Sequence, residues 1–104
     1  MRGDVYQLKS PRDARGHEQR GNRYAVVVQS DLLPLSTWLV APTSTSANAA
    51  SFRPEIEVNG EPTLVLVEQT AAVDPERLGS QVGHVSRREL ESIDEALRTV
   101  LGLN

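Results

Sequence analysis

The chain has 104 residues, 38% of them hydrophobic and only 4% aromatic, with 11 basic and 14 acidic side chains for a net charge of −3. That length supports one modest core, so a single domain spanning residues 1–104 is expected. With no cysteine, a disulfide framework and a thiolate metal site are both excluded, and no apolar run approaches the roughly 20 residues a membrane-spanning helix requires.

Residues 4–8 alternate polar and apolar side chains, the period of a half-covered strand. Residues 9–22 contain Pro11, Gly16 and Gly21 with hardly an apolar side chain and read as a long loop; such loops in small domains are usually functional or disordered. Residues 24–28 run Tyr-Ala-Val-Val-Val, the continuous β-branched pattern of a strand covered on both faces. Residues 38–41 are its expected neighbour, ended by Pro42, and the small polar run TSTSANAAS reads as a flexible loop. Residues 55–58 alternate, Asn59-Gly60 follows, and residues 63–67 are apolar again. Asn-Gly between two such runs predicts a hairpin with a type I′ turn, because both central residues must take positive φ. Residues 82–85 are a last expected strand.

The chain then turns helical. Ser86 with Glu89 three positions on makes a capping box. Leu90, Ile93, Leu97, Val100 and Leu101 share one helical face, and Gly102 is placed to end it. Asp94 and Arg98 are spaced for an i,i+4 ion pair on the solvent side. Five or six short strands followed by one amphipathic helix predict a mainly β fold with a C-terminal helix, built on a strongly bent antiparallel sheet or small barrel. No signal-peptide core follows the first residues, so a cytoplasmic location is expected.

The charge is unevenly spread. Residues 1–23 carry Arg2, Lys9, Arg12, Arg15, Arg20 and Arg23 against Asp4, Asp13 and Glu18, a local balance of +3, while the remainder holds 5 basic and 11 acidic residues. An acidic total argues against a polyanionic partner, but a local basic field can still capture one. The two histidines, His17 and His84, are far apart and lack ligand spacing, so no metal is expected. No nucleotide fingerprint occurs, and no cofactor is expected. What remains is the polar loop with Glu18, Asn22 and Arg23, and the hydroxyl-rich PTSTS at residues 42–46. Each adjoins an apolar strand, so a rigid core would hold both at one rim of the sheet, where a guanidinium and several hydroxyls suit a phosphate.

At these same residues the sequence resembles the MazF/PemK toxins, ribosome-independent endoribonucleases of type II toxin-antitoxin systems. RGDVYQL is similar to that family's opening strand, and GHEQRGNRYAVVVQSD to its G-x-E-x-x-G-x-R-P-A-V-V segment. LVAPTSTS is similar to its strand ending V-P-x-T-[ST]. LVEQTAAVDPERLGSQVGHVSRRELESIDEALRTVLGL is similar to its E/D-Q strand, following turn and terminal helix. The resemblance implies an SH3-like small β-barrel of the MazF/CcdB type, a homodimer, single-stranded RNA (mRNA) cut at specific sequences, and a cognate antitoxin with an acidic, partly disordered tail. It places the essential arginine on Arg23, the essential threonine on Ser44 and a loop carboxylate on Glu18. Thr43 and Thr45 flank Ser44 and leave the register open by one. Glu68 and Gln69 match a pair near the RNA groove, with His17 and Asn22 in the loop beside it. Tyr24 stands where the family has proline and offers a stacking face for a base.

Such cleavage uses the substrate's 2′-hydroxyl as nucleophile and yields a 2′,3′-cyclic phosphate and a 5′-hydroxyl, without a metal. Arg23 suits stabilisation of the anionic phosphorane. Ser44 suits a hydrogen-bond donor better than a covalent nucleophile, since no paired base is visible. Glu18 and His17 are the alternative proton acceptors. Two rival readings share the fold: a non-catalytic or degenerate protein that keeps antitoxin binding, and a gyrase-directed CcdB-like toxin, whose C-terminal aromatic or glycine features are missing from the ending LGLN.

Overall fold

A computed structural model describes residues 1–9 and 23–103; the loop segment 10–22, with His17, Glu18 and Asn22, lies outside the described residues. The strands are β1 (Asp4–Leu8), β2 (Tyr24–Val27), β3 (Trp38–Ser44), β4 (Glu55–Val58), β5 (Glu61–Val65), β6 (Ala71–Val73) and β7 (Leu78–His84), followed by α1 (Arg87–Leu101). All pairings are antiparallel, in the order β4-β5-β3-β2-β1-β7, with β6 alongside the start of β3. The result is the expected mainly β architecture, a half-barrel sheet with one C-terminal helix.

The continuous apolar run of β2 has a direct cause. All four of its residues are buried. Tyr24 and Val26 face a core shared with Ile93 and Ala96 of α1, while Ala25 and Val27 pack against Val40 and Leu78 on the other side. A strand buried on both faces has no solvent side to alternate towards. The hairpin also follows its sequence: Val58 pairs with Glu61 across a two-residue turn in which Asn59 and Gly60 take φ of 53° and 83°. The capping box of α1 closes in both directions between Ser86 and Glu89, and Gly102, at φ 73°, ends the helix in the left-handed region.

Several expectations are corrected. β3 does not stop at Pro42 but continues to Ser44. Proline is tolerated there because β3 changes partner on that flank, from β6 at Val40 to β5 at Thr43, and Pro42 still pairs with Ala25 and accepts from Leu66 N–H. The apolar run 63–67 leaves the sheet at Val65, and Val67–Gln69 form a 3-10 turn instead of a strand. β6 was not signalled at all, since Ala71 and Ala72 are exposed and small. β7 begins at Leu78, earlier than expected.

The Asp94–Arg98 pair does not form. Arg2 takes Asp94, with its Nε–H also donating to the Val28 carbonyl, and Arg98 lies 3.6 Å from Glu95. An arginine already fixed by a second bond wins over an exposed one that must give up its rotamers. On the apolar face of α1, Ile93 is buried and Leu90 and Leu97 pack against the core, whereas Val100 and Leu101 are exposed.

Candidate active site

The end of β3 divides two neighbouring hydroxyls by strand alternation. Thr43 points inward and is fully buried, and Ser44 points outward. Thr43 Oγ1 accepts from the Tyr24 N–H at 3.0 Å, and the Thr43 carbonyl accepts from Arg23 Nε–H at 3.1 Å. A stiff β-branched residue thus fastens the Arg23-Tyr24 step to β3 twice. The bond engages Nε only; a guanidinium carries four further N–H donors on its Nη atoms.

Ser44 is equally well defined. Its Oγ accepts from the N–H of Ser46 at 3.2 Å and of Ala47 at 3.1 Å, and stands 3.4 Å from Ser46 Oγ. Two donors occupy its lone pairs, so the hydroxyl can act only as a donor, with Ser46 Oγ as the neighbouring acceptor, and donation into the oxygen polarises that O–H bond.

Two expectations about contacts change here. Tyr24 is only 7% exposed and packs in the core, so it presents no open stacking face. Thr43 is fully buried with its hydroxyl engaged and is a latch rather than a surface group. Thr45 is exposed, as is Gln69.

Glu68 is turned aside. Its Oε2 accepts from Arg53 Nε–H at 3.0 Å and Nη2–H at 2.7 Å. These bonds, against the opposing effect of burial, hold its carboxyl below the usual glutamate range. Arg53 also donates from Nη1 to the Asn48 carbonyl at 2.9 Å and lies 5.6 Å from the Phe52 ring centre. Sequence reasoning gives no reason to single out Arg53: its partner is 15 residues away, beyond any local spacing rule.

Arg23, Thr43 with Ser44, Val65 and Pro54 form one transverse row of the sheet, the last link being Val65 N–H to the Pro54 carbonyl at 2.9 Å. At about 4.8 Å per strand, the row lines a single rim. His84 belongs elsewhere. Its Nδ1 lies 2.7 Å from Asp4 Oδ1 at the start of β1, whereas Leu8, at the end of β1, donates its N–H to the Arg23 carbonyl. The α-ammonium stands 3.2 Å from the other Asp4 oxygen. Burial raises the Asp4 carboxyl, but His84 and the α-ammonium outweigh it and leave the group below its ordinary value. Among the described residues, no three His, Cys, Asp or Glu side chains gather as a metal site would require.

Comparison with known proteins decides the family. A family model described as PemK-like, MazF-like toxin of type II toxin-antitoxin systems matches residues 1–101. The chain belongs to this family. A curated Mycobacterium tuberculosis protein, named as a candidate toxin, is 42% identical to this MazF-like chain over 99% of the chain and 98% of its own length. A solved MazF toxin of the same species superposes with a TM-score of 0.76 at 15% identity, covering 97% of this chain and 98% of its own. A mycobacterial endoribonuclease solved with its cognate antitoxin gives a TM-score of 0.77 at 17% identity, covering 100% and 96%. At these identities the solved structures speak for the fold. The MazF-like chain is therefore the toxin component of a type II toxin-antitoxin system.

Proposed function

We propose that this toxin is a sequence-specific endoribonuclease that cleaves single-stranded RNA, mRNA above all, and so arrests translation and growth. One observation carries the reading: Arg23, anchored to β3 through the Thr43 carbonyl, stands beside the outward, donor-only hydroxyl of Ser44. A substrate 2′-hydroxyl attacks the adjacent phosphorus, the bond to the 5′-oxygen breaks, and a 2′,3′-cyclic phosphate and a 5′-hydroxyl result. Charge accumulates on the non-bridging oxygens, where the Arg23 fork donates. Ser44 donates to the phosphate or to the leaving oxygen. The proton of the attacking hydroxyl goes to Glu18 or His17, and the departing 5′-oxygen takes up a proton from water; Asn22, Thr45 and Gln69 lie along the RNA path.

The working form is a cytoplasmic homodimer restrained by an antitoxin with an acidic, partly disordered tail. Met1, Leu32, Leu33 and Leu35 are all at least half exposed, which supplies apolar surface for a second copy to cover. The experiment is incubation of the purified toxin with a long unstructured RNA in excess EDTA. Discrete cuts bearing cyclic-phosphate ends are expected. Uncut RNA together with intact antitoxin binding would instead favour the non-catalytic reading.

A further inference from the structure

The ten residues between β3 and β4, 45–54, include no buried side chain. Its hydrophobic anchor is Phe52, which packs half-buried against the main core; residues 45–51, which supply both donors that cap Ser44 Oγ, gain little order from burial. The rest of the hold on the segment is polar and converges on Arg53. The Arg53 N–H donates to the Ala50 carbonyl at 3.0 Å and its Nη1–H to the Asn48 carbonyl. Its Nε–H and Nη2–H reach across to Glu68 on the turn Val67–Gln69. The Arg53 and Glu68 side chains are 22% and 25% exposed, and ion pairs with that much solvent contribute little to global stability. What the pair does is local: it joins the segment after Ser44 to the turn that displays Gln69.

We propose that Arg53 and Glu68 form a brace that fixes the Ser44 hydroxyl and the Gln69 side chain relative to each other, so that Glu68 is a positioning residue and not an RNA contact. The catalytic consequence rests on the proposed ribonuclease reading of the Ser44 rim; the structural one does not. With the brace cut, residues 46 and 47 lose their hold on Ser44 Oγ, and the O–H is no longer aimed. RNA still binds, because Arg23 is anchored independently on β3. Small misplacements of this kind cost turnover more than affinity.

The test is a double-mutant cycle on the full-length toxin with Arg53→Ala, Glu68→Ala and the double variant. Each single variant is expected to lower kcat on the order of 10-fold with KM changed less than about two-fold, and the double variant to be no worse than the weaker single. Additive losses with a raised KM would mean that Glu68 meets RNA itself, and an unchanged kcat would mean that nothing is braced; either overturns the proposal. A second readout needs no cleavage. Amide exchange at Ser46 and Ala47 should accelerate in each variant while that of Val26 in β2 stays slow; unchanged protection at 46 and 47 overturns the brace. If the wild-type toxin cuts no RNA but the variants lose that protection, the brace stands and only the ribonuclease reading falls.

Discussion

Arg23 and Arg53 flank the end of β3 and are held by opposite means. Arg53 is neutralised by the Glu68 carboxylate, and its fork is spent on bonds within the fold. Arg23 is held by a neutral carbonyl, and among the described residues it has no ion-pair partner. A carbonyl fixes a guanidinium without cancelling its charge. Arg53 is thus spent on organising the fold, whereas Arg23 keeps the uncancelled charge that the proposed phosphate contact requires. Thr43 and Ser44 divide the same labour between hydroxyls, one buried as a latch and one turned out.

The largest expected effect comes from the arginine that keeps its charge. Arg23→Ala should lower cleavage by about 10²- to 10³-fold, the usual loss of a transition-state donor, with the thermal midpoint little changed. A loss of cleavage no larger than the roughly 10-fold expected of Arg53→Ala would erase the contrast between the two. The hydroxyl pair should behave inversely. Thr43→Val leaves the Tyr24 N–H buried without a partner and should cost about 1–3 kcal/mol of stability, read by denaturant unfolding. Ser44→Ala should cost less than that in stability and far more in turnover.

A pH experiment sharpens the role of Glu68. Folding lowers its pKa, chiefly through Arg53, so its stabilising contribution is complete above the ordinary value of an unfolded glutamate and is lost as pH falls through the lower folded value. Glu68→Gln should accordingly show a shallower loss of thermal midpoint than wild type in that acid window. The smallest effect belongs to the hairpin. Gly60→Ala forces an L-residue into the left-handed region at a cost of about 1 kcal/mol, and turnover should be unaffected because the turn lies away from the Arg23 rim.

The sequence disclosed those elements whose cause is local. The Asn59-Gly60 turn needs two positive φ values, the Ser86–Glu89 box closes within four residues, and the valines of β2 need cover on both faces. Arg23 and the hydroxyl run were also legible, because each abuts such a strand. What stayed hidden depends on long-range choices. Thr43, Ser44 and Thr45 are alike in composition, and only the pairing of β3 with β5 shows which hydroxyl turns out. Tyr24 follows Arg23 at the position where the family pattern has proline, next to the polar loop, yet register with β3 buries it. Nothing local in the sequence marks Arg53, 15 residues away, as the partner of the Glu68 carboxylate. Asp94 has a partner spaced for it on its own helix, yet it pairs with Arg2 from the other end of the chain.

The most direct test is a footprint of the bound anion on the wild-type toxin. A short single-stranded oligonucleotide whose 2′-hydroxyls are replaced by hydrogen cannot be cut by the proposed route, and NMR can follow the arginine Nε–H and backbone amide signals as it is added. The expected result is that the largest shifts fall on Arg23 Nε–H and on Ser44, Ser46, Ala47 and Gln69, while His84 and Asp94 at the other end of β1 stay still. Shifts concentrated around His84 and Asp94, with Arg23 silent, would contradict the assignment of this rim.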